Sequence, residues 1–171
     1  MTAHVAGEPA AAVLINNWGD ADDDALRSTG ALSARHARSI VARDHGFAAW
    51  TFVQGESDPT YERAVDAVVM GRLQELKRLL ADEPDLIARR SAYGHHAALL
   101  HYTAANGVEI RRQVVPANAA EVTATLLDSG ADASARFHAY GGMRGTVSML
   151  RSSAHPRAAG VSAEIEALLR R

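Results

Sequence analysis

The sequence predicts an all-α fold, a run of paired helices behind an N-terminal helical cap, and three observations carry it. Aromatic residues make up only 5% of the 171 residues, so the core must be packed from Ala, Leu, Val and Ile. That suits closely approaching helices better than an aromatic-rich sandwich. Apolar residues recur at helical spacing in short segments punctuated by Gly, Pro and Asp. No segment sustains the period-2 alternation of a strand, so strands are expected to contribute little.

Bulk properties narrow the function classes. The length and the 47% hydrophobic content fit one soluble domain with a small extension. A formal charge of −2 and a pI near 6.4 give no overall reason to bind nucleic acid or a membrane surface. The chain has no cysteine, which excludes disulfides and thiolate metal sites and fits a reducing compartment. No apolar run approaches the ~20 residues of a membrane span. The opening MTAHVAGEPAAAVLINNWGD lacks the layout of a signal peptide. The expected location is the cytoplasm.

Residues 1–52 read as the cap. A short helix is expected over 9–18, and the acidic run 20–24 gathers at the positive start of the next one. That run lacks the spaced ligands and glycine of a calcium loop. Ser33 can cap a clearer helix, ARHARSIVARDHG, ending at Gly46, with Ala37, Ile40 and Val41 on its apolar side and Phe47 and Trp50 just beyond. His45 in its last turn favours the helix dipole. Residues 53–60 read as a linker, ending in Asp58–Pro59, a cap followed by a first helical residue.

Residues 61–171 carry the paired helices. YERAVDAVVMG precedes LQELKRLLADEP, ALLHYTAANG precedes AAEVTATLLDSG, and VSMLRSSAH precedes AEIEALLRR. Arg89-Arg90 and Arg111-Arg112 are small clusters that read as solvated turns.

The best-patterned stretch, residues 98–134, resembles the ankyrin repeat family in a divergent, bacterial style. Leu100, His101 and Ala104 match the opening of the family's inner helix; Leu126, Leu127, Gly130, Ala131 and Asp132 match the close of its outer helix. The resemblance covers roughly 61–171 and implies a short ankyrin-type solenoid of about three repeats. Gly130 suits the left-handed residue that ends the outer helix, and Asp132 and Ser134 suit the turn after it. Departures are plain. Glu75, Glu121 and Glu164 lie 46 and 43 residues apart, against a family period of about 33. The excess falls in 108–119 and 136–161, and Ala98 stands where the motif has threonine.

The segment YGHHAALLHYTAANG poses the functional question. The resemblance implies a structural role for His101, with backbone groups satisfying a ring that lacks its threonine. His95 and His96 fall on the finger before the inner helix and, being adjacent, should point apart. His96 and His101 are five apart, poorly aligned for one metal, so no metal and no cofactor are expected. Tyr93, His95, His96, Phe137, His138, Tyr140 and Arg144 form the candidate binding surface, with Tyr102 and Asn106 from the inner helix. The leading expectation is a non-enzymatic module that binds a protein or peptide partner. Its rival is a small-molecule binder or cofactor-free acid–base enzyme, with His96 and His101 as bases and Tyr93 or Tyr102 as donor.

Overall fold

The computed structural model describes residues 34–47, 49–50 and 58–171, and chain contacts divide the protein into two units, 1–54 and 55–171. The helix expected at 9–18, the acidic run 20–24 and the Ser33 cap lie outside the described residues, as does most of the linker.

In the first unit, helix α1 (Ala34–Asp44) covers the expected segment but ends before Gly46, and Ala42 is buried where Val41 is only partly so. Ala37 and Ile40 are buried, while Trp50 is exposed beneath the Arg38 guanidinium, 6.0 Å from its ring centre. His45 Nδ1 lies 2.8 Å from the Val41 carbonyl, which also accepts the His45 backbone amide at 3.1 Å.

The second unit begins as the Asp-Pro signal predicts. Asp58 Oδ1 accepts the Thr60 and Tyr61 amides at 3.0 and 3.1 Å, and Pro59 opens helix α2 (Pro59–Val69). Gly71 turns the chain with φ +66, and α3 (Leu73–Asp82) packs back on α2. A short 3-10 turn, Pro84–Ala88, follows. Helix α4 (Leu99–Tyr102) is a single turn, ended by Ala105 at φ +46. Helix α5 (Ala119–Asp128) packs on α4. Its close is the one the sequence predicts. Gly130 is left-handed at φ +95, with Ala131 N–H bonding Leu126 C=O at 3.0 Å and Gly130 N–H bonding Leu127 C=O at 2.9 Å. Asp132 Oδ1 then accepts the Ser134 amide and hydroxyl. Helices α6 (Thr146–Ser152), α7 (His155–Ala158) and α8 (Ser162–Leu169) complete the chain, with α8 against α5 and α6.

The core is aliphatic, as the composition demands. Leu76, Leu86, Leu99, Leu100, Leu126, Leu150 and Ile165 are fully buried, with Ala64, Ala67 and Ala104 allowing close approach. Each such leucine contributes about 1.5–3 kcal/mol by leaving water. Among the described residues no helix is long and apolar enough to cross a membrane.

The all-α expectation is overturned between α5 and α6. Strands β1 (Arg136–Ala139) and β2 (Gly142–Gly145) pair antiparallel, Ala139 opposite Gly142 and Arg136 opposite Gly145. The fold is mostly helical with a small sheet, not an all-α solenoid of about three repeats behind a cap. The physical reason lies in residues 136–145. Tyr140 and Gly141 both have positive φ, +50 and +74, the requirement of a two-residue type I′ turn. Alternation is present but only four residues long: Phe137 and Ala139 are buried, Arg136 and His138 exposed. A strand that short hides from any search for sustained periodicity.

Candidate functional site

The hairpin is a finger hung on the preceding turn. His138 N–H donates to His95 C=O at 2.9 Å, and the Arg90 guanidinium donates to Arg136 C=O at 2.8 Å. On its inner side Phe137 is buried against His101, ring centres 4.3 Å apart. Gly107 makes the seat possible. A side chain there would meet Ala139 Cβ at 2.8 Å and Phe137 Cζ at 3.1 Å.

Between the finger and α6 lies an open groove of about 480 Å³, lined by Asn106, Tyr140, Arg144, Ser148, Met149 and Ser152. Asn106 is its hub. Its Nδ2 donates to Met149 C=O at 3.2 Å and Ser152 Oγ at 2.9 Å, and its Oδ1 accepts the Tyr140 hydroxyl at 2.6 Å. Tyr140 is 61% exposed and Met143 42%. Among the described residues the Arg144 guanidinium has no hydrogen bond or ion pair, and the side chain is exposed at the groove.

The expected site residues therefore divide. Asn106, Tyr140 and Arg144 converge on the groove. His96 and His138 are exposed neighbours, ring centres 6.4 Å apart, and Tyr93 is half-buried. His95, Tyr102 and Phe137 are buried and offer no free surface. Adjacent His95 and His96 do point apart, one inward and one out. Ser148, Met149 and Ser152 were missed. The available signal was Ser148 and Ser152 at i, i+4, which share one face of α6.

The acid–base candidates are not gathered around one space. His101 is fully buried: Nδ1 accepts the Ala98 amide at 2.8 Å and Nε2 faces Ala135 C=O at 3.1 Å. Those partners assign a neutral ring with its proton on Nε2. Burial pulls its pKa down to about 4; the two backbone bonds oppose that shift and the Arg90 charge reinforces it. Both nitrogens are committed to backbone groups of the scaffold. Tyr102 is buried, and burial pushes its hydroxyl well above the usual range. His96 is exposed.

Beneath the finger the insertion 108–119 delivers an ionic cluster that the sequence reading placed in a solvated turn. Arg112 is buried, donating to Glu62 at 2.6 Å, Glu109 at 2.9 Å and Asp66 at 2.9 Å, with Tyr102's ring centre 6.0 Å away. Its charge is held fast: burial works against the guanidinium, and the carboxylates outweigh it. Glu109 is fully buried; burial alone would raise its pKa, but His95, its own amide and Arg112 hold it down to about 2. His95 Nδ1 accepts the Ala97 amide at 3.0 Å, leaving Nε2 to face Glu109 Oε2 at 3.3 Å. That last contact is misaligned for a hydrogen bond, so the pair is an electrostatic contact. The cluster ties α2, the 91–97 turn and the insertion together. Among the described residues no group of three or more His, Asp or Glu side chains is placed to hold a metal ion.

Compared with known proteins, the chain matches no family model, no curated protein and no solved structure.

Proposed function

We propose that this protein is a recognition module that binds a protein or peptide partner through the finger hairpin and the groove beside it. Kinship with ankyrin repeats, a family of recognition scaffolds, is part of the proposal, as is a cytoplasmic location consistent with the cysteine-free sequence.

One observation carries the reading. Tyr140 holds its backbone at φ +50 while its hydroxyl reaches Asn106 across the groove. A tyrosine in the left-handed region costs about 1–2 kcal/mol, where asparagine or glycine would turn the hairpin with less strain. Strain of this kind collects at binding and switch sites. It leaves an exposed aromatic ring beside Met143 and Arg144, and Tyr, Met and Arg are side chains enriched where proteins meet partners. The mouth is open, which fits a peptide segment laid across it better than an enclosed metabolite.

Selection of a random-peptide display library on the full chain tests the reading. Enriched peptides should bind saturably and protect the amides of 140–145 and 148–152 from hydrogen exchange. A chain that enriches no peptide, while a metabolite collection raises its melting temperature, would overturn it.

A further inference from the structure

We infer that the partner presents a carboxylate, an Asp or Glu side chain or a chain terminus, to Arg144, beside an apolar side chain that seats on the exposed Tyr140 ring. This rests on the recognition reading above and adds the chemistry of the partner.

Charge is distributed unevenly along the chain. Between Asp132 and Glu164 the sequence holds Arg136, Arg144, Arg151 and Arg157 and no acidic residue, although the whole chain is net negative. That stretch includes the hairpin and α6, which supply five of the six groove residues. Most of its arginines are engaged. Arg151 pairs with Glu166, Arg136 donates to Met143 C=O, and Arg157 donates to Ser153 C=O. The Arg144 guanidinium alone of the four has no partner among the described residues, and it lines the groove.

The other polar groups of the groove are already spent on one another. Asn106 donates to Met149 C=O and Ser152, Tyr140 donates to Asn106, and Ser148 Oγ donates to Gly145 C=O. The guanidinium is therefore the group with donors to offer, five N–H bonds in a planar fork that matches a carboxylate. Beside it, the exposed Tyr140 ring offers apolar surface, with the buried Met149 at the groove floor. Nucleic acid fits less well. A phosphate track needs several cations along one path, and among the described residues only one lines this groove.

The test is the display selection run in parallel on the wild-type chain and on Arg144→Glu, whose side chain is exposed and whose fold circular dichroism can verify. Wild type should enrich peptides with Asp, Glu or a free C-terminus next to Leu, Phe or Met at several times their input frequency. Arg144→Glu should lose them by at least tenfold and enrich Lys and Arg in their place. If wild type enriches peptides without acidic excess, or both proteins enrich the same set, the carboxylate inference falls while the recognition reading stands. If neither enriches any peptide, both fall. Tighter binding of a fluorescein-labelled single-stranded oligonucleotide than of any acidic peptide, lost in Arg144→Glu, would overturn the inference in favour of phosphate.

Discussion

The Tyr140 hydroxyl donates to Asn106 Oδ1 at 2.6 Å, joining the hairpin tip to the turn after α4 across 34 residues of sequence. The bond sits between two strained turns, Tyr140 at φ +50 and Ala105 at φ +46. The groove's shape depends on both.

Replacing Tyr140 with asparagine separates folding from binding. Asparagine tolerates the left-handed turn, recovering about 1–2 kcal/mol of strain, and the lost hydroxyl bond costs about 0.5–1.5 kcal/mol. The Tyr140→Asn chain should unfold in urea within about 1 kcal/mol of wild type. Its affinity for selected peptides should fall at least tenfold, about 1.4 kcal/mol. Retained affinity would reduce Tyr140 to a turn residue.

Gly107 controls how closely the finger docks. At φ +75, an alanine side chain there would meet Ala139 Cβ at 2.8 Å, Phe137 Cζ at 3.1 Å and Met149 Sδ at 3.3 Å. Gly107→Ala should cost about 1–3 kcal/mol through overpacking, with backbone strain in addition. Exchange of the His138 amide, which bonds His95 C=O, should quicken as the hairpin lifts. An unchanged exchange rate would mean that the seat is softer than the distances indicate.

Local signals were legible wherever one residue does one job. Asp58–Pro59 capped α2, and Gly130 closed α5. The hairpin was not legible, because four-residue strands and a Tyr-Gly turn give little periodicity and an atypical turn pair. Arg112 was misread for a different reason. A charge next to another charge looks solvated until the partners are known, and Glu62 and Asp66 come from 50 and 46 residues away. The i, i+3 pair Glu109 and Arg112 was the local half of that signal. The groove depended on the same kind of distant meeting, Asn106 with Ser152 and Tyr140.

Arg112 should be among the most sensitive polar positions. Arg112→Met leaves Glu109 buried without its cation, and breaking a buried pair in this way costs about 3–5 kcal/mol. Arg111, its exposed neighbour, is the control, and Arg111→Met should stay within about 0.5 kcal/mol of wild type. Equal effects in chemical denaturation would show that the cluster adds nothing particular to stability.

Acid should destabilise the fold in two stages. His101 is held neutral with a pKa of about 4, chiefly by burial, whereas an unfolded histidine titrates near 6.5. The unfolded chain therefore takes up a proton that the native chain refuses. The resulting stability is complete above about pH 6.5 and is lost as pH falls from there to 4, roughly 3 kcal/mol in all. Glu109 acts lower. Its pKa is held down to about 2, so its contribution is present above the unfolded value near 4.3 and is lost as pH falls toward 2. Urea unfolding from pH 8 to pH 4 should show a flat region followed by a steady decline beginning near 6.5. In the native protein the His101 ring resonance should titrate with a midpoint below 5. A midpoint near 6.5, with stability flat to pH 4.5, would show that this imidazole is open to solvent and not the buried strut between Ala98 and Ala135.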